Sequence, residues 1–360
     1  MMRNGSRWAV AVRTADSQIT VRTGNYKGII RSKAIASVPI IRGVCSFIDS
    51  LVLGMKTLMF SADLFAEESG KELEARLADE KKKAEKKAGR LKKSGREEEA
   101  KALLAKKERE AEEERRKLRE RGESGNGKSE DADNSFLLGV TVAISIVLSV
   151  ALFMMLPYFL SRGLRLVTSS EALISIAEAV LRMVIFFAYL LLISRMKDIQ
   201  RTFMYHGAEH KCINCIEHGL ELNVENVRKS SREHKRCGTS FLLFVMIVSV
   251  IFFLFIRTSS PVWRIVIRLL LIPVIAGVSF EFIRLAGRYD NAFVNAISKP
   301  GLALQRITTR EPDDEQIRVG IASVEAVFNW KKYLNENFGA CYEWTKEDEP
   351  HQGEDIFTIK

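Results

Sequence analysis

Four long apolar runs, at 135–160, 172–194, 240–256 and 263–285, constrain this chain more than any other feature. A bilayer core takes about 20 apolar helical residues, and each run meets or approaches that length. Charge is instead concentrated in 63–132. The chain is 47% hydrophobic yet 28% charged, and sorting of that kind marks a membrane protein with a polar insert. The expected fold is mainly α: a polytopic membrane protein with four transmembrane helices, a small N-terminal β-hairpin and an inserted charged helical hairpin.

The loops set the expected orientation. The 195–239 loop carries nine basic residues, whereas 161–171 carries only Arg162 and Arg165, and 257–264 only Arg257 and Arg264. Positive loops stay inside, so the central loop and both termini should be cytoplasmic. No secretory signal is expected, because Thr14, Asp16 and Gln18 interrupt the apolar residues behind the first basic ones. Five cysteines, oddly placed, do not make a disulfide framework and suit a reducing compartment.

Six segments follow. Residues 1–62 hold two short strands within 8–21, turning at Ala15–Ser17, and then an apolar stretch at 36–61. That stretch carries Arg42, Asp49 and Lys56, each costing about 2.5–3.5 kcal/mol at a bilayer centre. It reads as an amphipathic or re-entrant helix on the membrane face. Residues 63–133 are the charged insert and its linker. Leu77, Ala84 and Leu91 repeat every seven residues. So do Leu104, Ala111 and Leu118, with Ser94 and Glu97 placed to cap the second helix. An antiparallel helical hairpin with a thin seam results, a candidate surface for a protein partner. Residues 134–194 and 240–285 are the paired spans, around the 195–239 loop. In 286–360, Pro300-Gly301 suggests a turn and Asp313 or Asp314 a helix cap. Ile317, Val319, Ile321, Val324, Val327 and Phe328 suggest one amphipathic helix reaching Tyr333. The acidic tail after Cys341 should be loose.

Chemistry concentrates in 202–241, which hold four of the five histidines and three of the five cysteines. Residues 195–218 contain no proline and should continue the second span as a helix, stopping at Gly219. His206 and His210 are four apart and share a face, with Glu209 beside them. His-Gly-Ala-Glu-His has the form H-x-x-E-H. Two imidazoles one turn apart can hold a metal ion with positions left open, and the carboxylate can take a proton as general base. His234 is the first choice for the third ligand and Cys237 the second. Glu217, about 10.5 Å along the helix from His210, belongs outside the first shell and could contact substrate. A rival arrangement, Cys212-x-x-Cys215 with His234-x-x-Cys237, would make a closed structural zinc site.

The run Tyr205-His-Gly-Ala-Glu-His-Lys211, then Glu217, then His234-Lys-Arg-Cys-Gly-Thr-Ser-Phe241, resembles the YqhQ-like family of bacterial multi-pass membrane proteins. Val38-Pro-Ile-Ile-Arg-Gly43, Lys299-Pro-Gly301 and the segment from Gln305 to Pro312 extend the likeness. The family is described as a domain of unknown function and a predicted metal-dependent enzyme. The resemblance implies motif roles for His206, Glu209, His210, Glu217, His234, Arg236 and Cys237, and a place in the bacterial cytoplasmic (inner) membrane. Cys212 and Cys215 stand where the family pattern has other residue types.

The leading expectation is therefore a metal-dependent hydrolase with a cytoplasm-facing site. Zinc fits the imidazoles, with iron or manganese as alternatives. Glu209 would act as base and Arg236 would stabilise an anionic group. A non-enzymatic scaffold with a structural metal, or a small transporter built on Glu178, Arg182 and Glu281, are the rivals. Glu281 lies at a depth matching the mouth of the loop. Membrane lipids are expected partners; nucleic acid is not, since no recognition module accompanies the basic charge.

Overall fold

The computed structural model describes residues 1–14, 16–29, 37–93, 96–122, 133–235, 237–256, 260–289, 291–345, 348–350 and 353–359. Ala15, Ser94, the linker at 123–132 and Arg236 lie outside these. Strands β1 (Met2–Asn4), β2 (Arg7–Arg13) and β3 (Ile19–Asn25) open the chain. Helices α1 (Pro39–Lys93), α2 (Glu97–Gly122) and α3 (Asp133–Val150) follow. A π-turn at Ala151–Met155 leads into α4 (Leu156–Arg162), and then comes α5 (Glu171–Ile193). Next are α6 (Lys197–Glu217), α7 (Val224–Lys229), α8 (Gly238–Leu254) and α9 (Pro261–Arg288). Helices α10 (Ala292–Thr308), α11 (Asp314–Glu325) and α12 (Trp330–Phe338) precede β4 (Ile356–Ile359).

The chain divides into two compact units. One comprises Met1–Arg13, Ile19–Leu53 and Ile146–Lys360; the other comprises Thr14–Gln18 and Gly54–Ser145. Within the second, the charged hairpin is antiparallel. Arg115 pairs with Glu74 at 2.7 Å, Lys107 with Glu80 at 3.1 Å, and Arg76 with Glu114. Leu77, Ala84 and Ala88 are its buried apolar residues.

In the first unit the four strands form one antiparallel sheet in the order β1-β2-β3-β4. Trp8 stands opposite Gly24, and a Cβ at Gly24 would lie 2.7 Å from the Trp8 ring. Ala9 and Val21 of the sheet share a core with Cys212, Cys215 and Ile216 of α6 and Ile317 and Val324 of α11. The tail is not loose: Ile356–Ile359 pairs with Ile19–Arg22, because β3 has a free edge that an alternating Ile-Phe-Thr-Ile segment can fill. The single helix expected from Ile317 to Tyr333 is two, α11 and α12, parted at Ala326–Asn329. Asp313 caps α11 in a full capping box with Gln316. Pro300-Gly301 is not a turn but lies inside α10. Gly301 is needed there because a Cβ would lie 2.9 Å from the Ser240 hydroxyl on α8.

Four helical stretches are long and apolar enough to cross a membrane: Pro39–Gly89, Val140–Arg162, Glu171–Ile193 and Val262–Arg288. α8, at 17 residues, is shorter. It spans about 25 Å at 1.5 Å per residue, the lower limit for a crossing. Pairing of β3 with β4 brings segments from the two ends of the chain together. The charged residues of 36–61 are partnered. Arg42 holds Glu281 of α9 at 2.7 Å, and Asp49 accepts from the Tyr26 hydroxyl at 3.0 Å and the Ile29 amide at 2.9 Å. α1 and α9 approach at paired glycines: a Cβ on Gly43 would lie 2.6 Å from the carbonyl oxygen of Gly277. Glu281 is thus committed to Arg42 and Arg284.

Candidate metal centre

The helix carrying the histidines is separate from the span before it. α5 ends at Ile193, and Met196 is extended (ψ 132°) before α6 begins. The break lets α6 turn its own face inward. His210, Lys211 and Asn214 are all buried and form a comb of donors against the returning loop. His210 Nδ1 donates to the carbonyl of Arg232 (2.6 Å), Lys211 Nζ to that of Arg228 (2.8 Å), and Asn214 Nδ2 to those of Ser231 (2.6 Å) and Glu233 (2.9 Å). α10 closes the loop from the other side. Gln305, fully buried, accepts from the His234 amide at 2.8 Å and donates to the His234 carbonyl at 2.7 Å and to Ser240 Oγ at 2.8 Å.

The result is a cluster of His206, His210 and Cys237, whose ligand atoms all lie within 4.8 Å of one another. His206 Nε2 is 3.2 Å from Cys237 Sγ, and the two imidazole centroids are 4.4 Å apart. The opposite nitrogens are spoken for. His206 Nδ1 meets the Thr308 carbonyl at 3.0 Å and His210 Nδ1 meets that of Arg232 at 2.6 Å. A carbonyl only accepts, so each Nδ1 carries the hydrogen, and in the neutral ring each Nε2 is a lone pair. Carbonyl anchoring of this kind orients a histidine for a metal ion.

Cys237 is the N-cap of α8, in extended backbone (φ −91°, ψ 144°), and its sulfur accepts from the Thr239 amide at 3.4 Å. Burial opposes its ionisation, but hydrogen bonds and charge from His206 and His210 prevail and bring the thiol down to about 5. Burial likewise opposes charging of His206; the bond to Cys237, its thiolate charge, the Thr308 carbonyl and Glu209 raise it to about 9. The His206–Cys237 pair is close to the donor spacing of a tetrahedral zinc ion, in which imidazole nitrogen and thiolate sulfur stand about 3.5 Å apart. The observed 3.2 Å needs an opening of only a few tenths of an ångström.

His234 is placed differently. Its Nε2 lies 3.2 Å from Glu217 Oε2, and its ring centroid is 5.9 Å from that of His210. A cavity of about 690 Å³ brings together His206, Glu209, His210, Glu217, His234 and Cys237. Apolar Ile213, Ile216, Val324, Val327 and Phe328 share its lining. Glu209 accepts there from the amino group of Met1. Glu217 and His234 also border a second cavity of about 560 Å³, which reaches Lys235, Arg288 and Tyr289. Glu281 is in neither lining. Cys212 and Cys215 are buried in the core behind α6. Cys215 Sγ donates to the Glu221 carbonyl at 3.3 Å, and burial raises both thiols; among the described residues the donors that cluster with Cys237 are His206 and His210. Lys211, Asn214, Gln305 and the Thr308 carbonyl had no signal in the spacing. Only polar residues beside an H-x-x-E-H helix and in a Gln-x-x-Thr-Thr string hinted at them.

The chain matches the family described as "Protein of unknown function (DUF1385)" over residues 38–330, and it belongs to that family. The match takes in every residue of the cluster and leaves the four strands outside. A curated relative, "Uncharacterized protein YqhQ" of Bacillus subtilis (strain 168), is 37% identical over 212 residues. The alignment covers 58% of this chain and 66% of the relative, just under two thirds of its length. No solved structure matches the chain.

Proposed function

We propose that this is a metal-dependent hydrolase of the cytoplasmic membrane, with one divalent ion held by His206, His210 and Cys237 on the cytoplasmic face. The observation that carries this reading is the pair of carbonyl-anchored imidazoles. The Nε2 atoms of both converge on one sulfur; with both rings neutral a Cys237 thiol hydrogen could satisfy only one of the two lone pairs, whereas a metal ion would engage both nitrogens and the sulfur together. Mixed imidazole and thiolate donors favour zinc over manganese. Three protein ligands leave a fourth position, and a bound ion would supply Lewis acidity toward a carbonyl or phosphoryl oxygen. Glu209 is the general base, lining the same cavity as the cluster. Glu217 and His234, 3.2 Å apart, share the cavity's lining and would contact substrate. The apolar lining residues suit an amphipathic substrate, such as a peptide or a lipid-linked phosphate ester.

The membrane arrangement supports a cytoplasmic site. The β3–β4 pairing supports both chain ends lying on one side, and the even number of crossings this needs, with the strands and α6 on that side, is met by α3–α4, α5, α8 and α9. α1 is then the stretch that stays on one face, in keeping with Arg42, Asp49 and Lys56. The basic 195–239 loop assigns that side to the cytoplasm.

A second reading is favoured by one contact. Cys237 and His206 at 3.2 Å, at a helix start, form a thiolate–imidazolium pair able to act as a nucleophile. It leaves the anchoring of His210 without a purpose. Metal content of the full chain in detergent, after exposure to Zn(II), Fe(II) or Mn(II), separates the two. One ion per chain is expected, lost in His206→Ala and Cys237→Ser and kept in Cys212→Ala. Wild type that takes up no ion, yet is alkylated by iodoacetamide faster at Cys237 than at the exposed Cys341, overturns the metal reading in favour of the nucleophile.

A further inference from the structure

On the far side of the apolar helices, away from the His/Cys cluster, three ionisable side chains are buried together. Glu178 and Arg182 are one turn apart on α5, and Arg268 comes from α9. Their exposures are 4%, 3% and 4%. Arg182 Nη2 and Arg268 Nη1 both bind Glu178 Oε1, at 2.7 and 2.5 Å. The two guanidiniums also flank one ring: they stand 4.8 and 4.9 Å from the centroid of Phe253. One carboxylate therefore serves two cations, and the group carries a net positive charge. Charge buried among apolar helices is costly unless it is matched, and it marks binding sites and pathways more often than structural contacts.

The polar atoms point the same way. Arg182 Nε donates to the Phe153 carbonyl at 3.1 Å, whereas Arg268 Nε is buried and makes no hydrogen bond among the described residues. The guanidiniums continue toward the helix ends. Arg264 lies one turn nearer the start of α9, and both Arg264 and Arg268 stand over the ring of Tyr158, at 5.4 and 5.9 Å. Arg162, at the end of α4, stands over the same ring at 5.7 Å. Arg268 is about 10 Å along α9 from Pro261, so the guanidiniums descend in steps from the helix ends into the bundle.

We propose that Arg268 and Arg182 bind a phosphate oxyanion of net negative charge, carried by an anionic lipid headgroup, with no choline cation to neutralise it, or free in solution. Guanidinium presents paired N–H donors matched to phosphate oxygens, and the open Nε of Arg268 is one such donor. The ligand supplies the negative charge that Glu178 alone does not. Lipid phosphate near the helix ends would approach from the side of Arg264, and inorganic phosphate from the same side.

The test uses the full chain in phosphatidylcholine nanodiscs containing phosphatidylglycerol, read by lipid retention in native mass spectrometry, and separately by the thermal shift with inorganic phosphate. Wild type should retain phosphatidylglycerol at least tenfold over phosphatidylcholine, or be stabilised by inorganic phosphate; the first result assigns a headgroup and the second a free ion. Arg268→Gln should lower that preference at least tenfold. Glu178→Gln removes the competing carboxylate and should strengthen retention, which serves as the deciding variant if Arg268→Gln does not fold. Equal retention of both lipids with no phosphate shift, or a folded Glu178→Gln whose retention is unchanged or weaker, overturns the proposal.

Discussion

Substituting Gly207 by alanine sets two physical effects of opposite sign against each other. In the middle of a helix the change should stabilise by about 1 kcal/mol, because glycine is the poorer helix former. Gly207, however, faces the backbone of the segment after α10. A Cβ there would lie 2.1 Å from the carbonyl oxygen of Arg310 and 3.3 Å from its carbon. A carbon–oxygen contact needs about 3.3 Å, so the segment must withdraw by about 1.2 Å. It is fastened to α6 by two bonds, the Arg310 amide to the Phe203 carbonyl at 2.9 Å and His206 Nδ1 to the Thr308 carbonyl at 3.0 Å. Both stretch. Overpacking costs about 1–3 kcal/mol and each weakened bond about 1 kcal/mol. Packing therefore wins by about 2–4 kcal/mol.

The site should suffer more than the fold. Metal ligands tolerate displacements of about 0.2 Å, and loss of an orienting partner costs about 10–100-fold in affinity. The expected result for Gly207→Ala is a lower unfolding temperature and zinc affinity down by at least tenfold, measured by competition with a chromogenic chelator. Gly89→Ala is the matched control, since nothing lies within 4 Å of a Cβ there and the helix gain stands alone. If Gly207→Ala is stabilised like Gly89→Ala and binds zinc as wild type does, the geometry derived for α6 and the Thr308–Arg310 segment is refuted.

Gln305→Leu strands the His234 amide and carbonyl and should destabilise by about 3 kcal/mol or more, with loss of zinc; chemical denaturation and metal analysis check it. Asp313→Ala removes the capping box of α11 and should cost about 1 kcal/mol, with the metal retained. Glu325→Gln tests a buried carboxyl raised by desolvation against the opposing Trp330 bond and Lys331 charge. A group raised on folding favours the folded state below its unfolded pKa, and that contribution is lost as pH rises through the folded value. The glutamine variant, which keeps an oxygen for Trp330 Nε1, should therefore be more stable than wild type at neutral pH and equal to it below about pH 4. Thermal scans across that window that show a constant difference would contradict this.

Local rules were legible where a segment's partners lie close in the chain. The apolar runs, the antiparallel hairpin with its ion pairs from Glu74 to Arg115, and the cap at Asp313 all follow from neighbours or from one turn of helix. Long-range pairing was not. Ile356–Ile359 becomes a strand only because β3, more than three hundred residues earlier, offers an edge. Pro300-Gly301 continues a helix because Ser240 of α8 leaves no room for a side chain. The separation of α5 from α6 at Ser194–Met196 has no proline or glycine to announce it, and Arg310 Nη2 secures it by binding the Ser194 carbonyl at 3.1 Å.

The same contrast governs the site. Spacing alone puts His206 and His210 on one face, because four residues make one turn of helix. Nothing local chooses between His234 and Cys237, three residues apart on the returning loop. That choice is made by Gln305, which holds both the amide and the carbonyl of His234, and by Glu217, which engages its ring. With residue 234 pinned in this way, the chain reaches the start of α8 with Cys237 as its cap and the sulfur beside His206. A ligand chosen by a glutamine 71 residues away cannot be read from a histidine motif. It follows that exchanging the two candidates in place, by His234→Cys with Cys237→His, should not regenerate the cluster, because the clamp acts on backbone position and not on side-chain identity.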